Sequence, residues 1–305
     1  MKRYDLYNVI VVAALSLSLA SCVKDELYNT PHPDKGAVQI TADWTKHSAD
    51  ALMPDLYVLR IGHEEQTVRR GEPAGSETTV FRSLFLPGVQ SLLAYNPAEG
   101  FGIDGDIASV NTLADGTLYP LPGFLFSAAG EVEVLQDDTM KVALPMQQRI
   151  RVLKLTLKLA PGDEQRIVKT AATLTGVVSA INLRSGAVAA IEGATTAPVF
   201  TLTADAAATR AESNPVLTAV LHLLGVMPGE KQQLTMAVTL TDGSVQTVVT
   251  DLTGALKDFG GDGKEALALD ATLALPDGSS PVETATVITD WIPGAGDADG
   301  EADMG

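Results

Sequence analysis

An all-β chain folded as two tandem antiparallel β-sandwiches is predicted by three features of the sequence. Apolar residues recur at every second position in many short segments, the period of a strand with one buried face. Turn pairs such as Pro87-Gly88, Asn96-Pro97 and Asp242-Gly243 separate those segments, because proline presets φ and glycine accepts positive φ. The chain is 46% apolar but only 5% aromatic, and a core of Val, Leu, Ala and Thr suits pleated sheets. Helical periodicity is weak throughout.

The first sandwich is expected over residues 37–146. Ala37 to Trp44 opens it, alternating at Val38, Ile40 and Ala42. Leu56 to Ile61 is the second strand, ended by Gly62. Arg69 to Gly75 reads as a polar hairpin loop leading to Thr79-Val80-Phe81. Leu84-Phe85-Leu86 runs into the Pro87-Gly88 turn, and Ser91 to Tyr95 follows, closed by Asn96-Pro97. Phe124-Leu125-Phe126, Val132/Val134 and Val142/Leu144 bring the total to about seven strands by Pro145.

The second sandwich is expected over residues 147–293. Leu153, Leu155, Leu157 and Leu159 face one way while Lys154, Thr156 and Lys158 face the other, one dry face and one wet. Pro161-Gly162-Asp163 ends that strand. Val216 to Val226 is ambiguous between strand and helix, with Gly225 and Pro228 favouring a strand. Leu234, Met236, Val238 and Leu240 alternate, and Asp242-Gly243 turns the chain back through Val245 to Val249. Leu267 to Leu273 and Val287 to Trp291 close the series. Residues 294–305 form an acidic, Gly-rich tail that cannot bury a core.

Residues 1–21 have the parts of a signal peptide. Lys2 and Arg3 precede an apolar run of about 12 residues from Val9, and small residues precede the cut. The run is short for a transmembrane helix. Leu19-Ala20-Ser21-Cys22 resembles the bacterial lipobox, where cleavage before the thiol frees it for a diacylglycerol thioether and further palmitate-type acylation. Cys22 is the only cysteine, so it is the expected lipidation residue and no intrachain disulfide can brace the fold. The alternative is a secretory signal with a chance cysteine. Lys24, Asp25 and Glu26 resemble the export signal that sends Bacteroidota lipoproteins to the outer face of the outer membrane, the alternative being a solvated linker. Residues 22–36, with Pro31 and Pro33, read as a lipidated tether. The first expected partner is therefore outer-membrane lipid.

A formal charge of −17 and a pI near 4.5 argue against nucleic-acid binding. No transition-metal site is expected, because His32, His47, His63 and His222 form no ligand pattern. Asp258, Asp262 and Glu265, and the tail acids Asp297, Asp299, Glu301 and Asp303, miss the spacing of a twelve-residue calcium loop. No Gly-x-Ser-x-Gly elbow or second cysteine supplies a nucleophile. Gly102–Gly105 and Gly261–Gly263 read as turns rather than phosphate cradles. Trp44 and Trp291 each end a strand and read as core residues. No catalytic residue and no cofactor are expected, and the chain is read as not an enzyme.

Several segments carry a family likeness. The lipobox, Val38 to Trp44 (Val-Gln-Ile-Thr-Ala-Asp-Trp), Leu86 to Asn96, Pro145 to Leu153 (Pro-Met-Gln-Gln-Arg-Ile-Arg-Val-Leu) and the closing Asp290-Trp291 resemble the FimB-type fimbrial lipoproteins of the fimbrillin superfamily. The resemblance implies two transthyretin-like (Ig-like) β-sandwich domains and a surface lipoprotein that anchors a fimbria or serves as its minor subunit. It implies fimbrial partners joined by β-strand addition, in which a donor strand fills a groove. Stalk subunits of that superfamily release an N-terminal strand after an arginine. Here the tether to Ala37 contains no arginine, and Arg69-Arg70 lies inside the first sandwich. A retained tether suits the base of a fibre. The competing reading is a glycan-binding surface lipoprotein of a nutrient uptake system, which exposed aromatic platforms would favour.

Overall fold

The computed structural model describes residues 33–71, 76–189, 193–203, 215–260, 263–276 and 286–294. Its fold is all-β. The first half contributes β1 (Ala37–Asp43), β2 (Leu56–Ile61), β3 (Glu64–Arg69), β4 (Ser76–Val80), β5 (Gly88–Tyr95), β6 (Phe101–Asp104), β7 (Ile107–Val110), β8 (Phe126–Val134), β9 (Thr139–Pro145) and β10 (Gln147–Gln148). A three-stranded sheet, β4-β1-β9, packs on a five-stranded sheet, β10-β8-β5-β2-β3. Between them lie Val38, Ile40 and Ala42 of β1, Tyr57, Leu59 and Ile61 of β2, and Leu92 of β5, none more than 1% exposed. Trp44 sits at the centre, edge-on to Tyr57 at 5.4 Å and to Phe126 at 5.6 Å. Both spacings are those of favourable aromatic pairs.

The second half contributes β11 (Arg151–Lys158), β12 (Ile167–Thr175), β13 (Ala180–Asn182), β14 (Thr195–Thr196), β15 (Thr201–Thr203), β16 (Val216–Leu223), β17 (Gln233–Leu240), β18 (Val245–Asp251), β19 (Leu267–Ala274), β20 (Val287–Ile288) and β21 (Ile292–Pro293). One sheet runs β15-β16-β11-β19-β20 with β21 also on β19, and the other runs β14-β12-β17-β18. Leu153, Leu155 and Leu157 are fully buried against Leu234, Met236 and Val238, each leucine contributing about 1.5–3 kcal/mol of transfer free energy. Among the described residues the only helix is a single 3₁₀ turn, Asp163–Gln165, and no helix is long and apolar enough to cross a membrane.

Several expectations need correction. Leu56–Ile61 does not turn through Arg69–Gly75 to Thr79–Phe81. It forms a hairpin with β3, and β4 instead joins β1 on the opposite sheet. β3 escapes a hydropathy reading because only Gln66 and Val68 turn inward from a charged edge strand. Gly102 lies within β6, and the turn is made at Gly105, with φ of 57°. β12 is hidden by a register shift between Ile167 and Lys169, which breaks the period of two. Val287 to Trp291 is not one strand, since β20 and β21 flank Trp291. Most pairs are antiparallel, but β1 runs parallel to β9 and β11 parallel to β19. Alternation fixes which face a residue takes and says nothing of strand direction.

The two cores meet at a seam where adjacent side chains part. Val152 packs into the first core and Leu153 into the second, as opposite faces of one strand require. The halves also trade residues. Val178, Ile181 and Leu183 enter the first core, and Val110 and Leu118 enter the second. A small sheet, β13-β7-β6, draws strands from both halves.

Candidate functional site

The chain enters the first sandwich at a fixed point. Gly36 exchanges both backbone hydrogen bonds with Phe85, at 2.8 and 2.9 Å, and the Ala37 N–H donates to the Asp138 carbonyl at 2.8 Å. A Cβ at Gly36 would stand 2.1 Å from the Leu135 carbonyl oxygen, so only glycine allows this approach. From there β1 pairs with β9 from Ala37 to Asp43 and with β4 from Gln39 to Asp43. The first described strand is thus the centre of a sheet, with its alternate side chains in the core.

A second feature joins the halves. The Asp106 carboxylate, in the β6–β7 turn, takes Arg60 Nη1 at 3.0 Å and Arg184 Nε at 2.6 Å. Arg60 comes from β2 and also donates to the Gly105 carbonyl at 2.8 Å. Arg184 follows β13 and also donates to the Leu92 carbonyl at 3.1 Å. The Leu183 N–H donates to the Asp106 carbonyl at 2.7 Å. One aspartate therefore links two arginines, one from each side of the seam.

Beside it lies a cleft of about 260 Å³. Arg149, Arg151 and Lys264 line it, with Gln147, Gln148 and Ser185. Arg149 Nε donates to Ser127 Oγ at 2.8 Å, and burial pushes its guanidinium pKa down. Arg151 donates to the Glu265 and Asp258 carbonyls at 2.7 and 3.2 Å and lies 5.0 Å above the Phe259 ring. Burial lowers its pKa too, partly opposed by the nearby Glu265 charge. Lys264 Nζ donates to the Lys46 carbonyl at 3.0 Å. Among the described residues the hydrogen bonds of all three cations go to a hydroxyl and to carbonyls, with the Glu265 charge near Arg151. A more apolar cleft of about 580 Å³ adjoins it, lined by Val178, Val188, Val226 and Phe259.

Comparison with known proteins gives the geometry a family. A profile of the fimbrillin-A associated anchor proteins Mfa1 and Mfa2 matches residues 32–293. The chain belongs to that family. The family is one of anchor proteins, non-enzymatic in kind. The fold is similar to the fimbrial anchor protein Mfa2 from Porphyromonas gingivalis, at 9% identity and TM-score 0.57, covering 85% of this chain and 96% of that one. A proposed adhesin from Bacteroides thetaiotaomicron matches with 13% identity and TM-score 0.57, over 80% and 92% of the two chains. Another, from Bacteroides ovatus, matches with 10% identity and TM-score 0.53, over 86% and 96%. No curated protein matches by sequence.

For a member of the Mfa1/Mfa2 anchor family, the placement of the sequence-derived residues is informative. Cys22 and Lys24, Asp25 and Glu26 lie outside the described residues, as do His32, Asp262 and the tail acids. Among the described residues no three potential metal ligands cluster. His222 lies against Phe124 at 5.0 Å, and its Nδ1 is 2.8 Å from the Pro122 carbonyl. Among the described residues no aromatic side chain is exposed: Trp44 is buried and Trp291 half-buried, its Nε1 donating to Thr250 Oγ1 at 3.2 Å. Among the described residues the platforms that a glycan reading asks for are not present. Sequence reasoning misses Asp106, a lone acid in a short turn. It also misses Arg149, Arg151 and Lys264, although Arg149 just precedes β11 and Arg151 opens it, two arginines close together in a strongly acidic chain.

Proposed function

We propose that the protein is a surface lipoprotein that anchors a fimbria to the cell, serving at the fibre's base or as a minor subunit in adhesion. Acylation of Cys22 would hold it in the outer membrane, with Lys24, Asp25 and Glu26 directing it to the exposed face. Residues 22–36 would act as the tether, and residues 37–146 and 147–293 as two sandwich domains. The observation that carries this reading is β1. The first strand beyond the tether is zipped on both sides and fills its own groove with Val38, Ile40 and Ala42, so lipid and core would be one continuous chain.

Fimbrial subunits would be held by strand addition at a sheet edge, where unpaired N–H and C=O groups recruit a partner strand. A stalk subunit must vacate its first strand to accept a donor. This chain offers no arginine between Cys22 and Ala37 for that cut. Arg70 is tied down as well, its N–H donating to the Asp55 carbonyl and its Nε to the Pro54 carbonyl.

Cys22→Ser tests the anchor. In cells, the variant is expected to lose labelled-palmitate incorporation, and both it and attached fimbriae should pass into the medium. Fimbriae that stay attached and of normal length in the Cys22→Ser strain would overturn the reading.

A further inference from the structure

We propose that the cleft lined by Arg149, Arg151 and Lys264 is a carboxylate-binding site for an acidic peptide segment. The chain has 38 acidic against 21 basic residues, yet three cations gather round this one cleft with no carboxylate in contact among the described residues. Arg60, Lys158, Arg166 and Arg184 each have one within 4 Å. Arg149, Arg151 and Lys264 have none within that distance among the described residues. Instead Ser127 Oγ and the carbonyls of Glu265, Asp258 and Lys46 hold them in place, which orients the charges without neutralising them.

The site is built rather than incidental. Arg149 stands where burial already disfavours its charge, and its Nη1 and Nη2 have no acceptor among the described residues. A Cβ on Gly186 would come within 2.5 Å of Arg149 Nη1, and one on Gly263 within 3.0 Å of Arg151 Nη1. Two glycines thus leave room for two guanidinium groups. A carboxylate entering the cleft would accept paired N–H donors from a planar fork, the strongest side-chain arrangement for that anion. The adjoining apolar cleft favours a ligand with hydrocarbon beside its charge, as a peptide has and a simple inorganic anion does not.

Two sources share this chemistry. One is an acidic segment of another protein. The other is the chain's own continuation past Gly294, which carries Asp297, Asp299, Glu301 and Asp303. β21 is antiparallel to β19, and the Gly294 N–H donates to the Ala268 carbonyl, so Gly294 stands near the end of β19 that follows Lys264.

The test uses a synthetic peptide of residues 295–303 and its twin with Asn and Gln at the acidic positions. Binding is measured by calorimetry to purified protein whose tail carries Asp297→Asn, Asp299→Asn, Glu301→Gln and Asp303→Asn. The acidic peptide is expected to bind at least tenfold tighter than its twin, and to weaken with added salt. Arg149→Gln and Lys264→Gln should each reduce affinity about tenfold, with Arg149→Lys checking that the fold survives. Weaker binding by protein with the unaltered tail identifies the chain's own tail as the source; equal binding identifies another protein's segment. Equal affinity for the two peptides, no binding of either, or undiminished binding by Lys264→Gln would overturn the proposal. So would full displacement by sulfate at matched concentration. Asp262→Asn is expected to leave affinity unchanged, and a tenfold gain would show that this carboxylate already fills the cleft.

Discussion

At the scale of single residues, four aspartates are set by one local device. Asp43, Asp115, Asp242 and Asp251 each accept hydrogen bonds from the residue two positions on. At Asp43 and Asp115 the backbone N–H of Thr45 and Thr117 does most to hold the carboxyl below its usual range, followed by the hydroxyl. At Asp242 and Asp251 the order is reversed, with Ser244 and Thr253 acting chiefly through the hydroxyl. These bonds favour the ionised form, so the folded pKa lies below the unfolded one. Their contribution to stability is full above the unfolded value of about 3.9 and is lost as pH falls through the lower folded values. The thermal midpoint should therefore drop as pH falls below about 4, and a variant with all four as Asn should lose less on the same acidification. An identical loss in that variant would rule the device out. The motif was legible in advance as Asp-x-Thr/Ser, but only where the chain turns does it have this effect.

At the scale of elements, pairing by hydropathy succeeds where one face is dry and fails at edges and irregularities. β11 and β17 declare themselves because every second residue is buried. β3 does not, since Glu64, Glu65, Thr67 and Arg69 leave little to count. β13 is three residues long and owes its place to β7, far away in sequence. The Asp106 bridge belongs to this scale, because it fastens a turn to strands on both sides of the seam. Asp106→Ala should cost about 2 kcal/mol, less than a fully buried ion pair because solvent reaches the site. Asp104→Ala, on the same hairpin but exposed, should cost under about 0.5 kcal/mol. Denaturant midpoints compare the two, and equal losses would show that the bridge does not matter. No sequence spacing reveals it, since its members are 46 and 78 positions apart.

At the scale of the whole molecule, two cores were legible but their entanglement was not. Periodicity counts strands and cannot show that residues 110–122 lie on the second sandwich, as Leu118 N donating to the Thr195 carbonyl and His222 N to the Pro120 carbonyl require. Nor can it show that Ile150, Val152, Val178, Ile181 and Leu183 complete the first core. A fragment ending at residue 146 would lose all five. Heat should accordingly unfold the protein in one cooperative transition, and the fragment 33–146 should fail to unfold cooperatively at all. Calorimetry that resolves two independent peaks, or a fragment with a sharp melt, would contradict this.

The placement of β1 has one more consequence, and it is mechanical. Gly36 delivers the chain to the end of a strand bonded along its length to neighbours on both flanks. Tension drawn back along that strand loads the rungs of both ladders together, in shear, instead of peeling them one at a time. A protein that must keep its grip while a long filament is dragged by flow gains from having its weakest link shared among so many bonds.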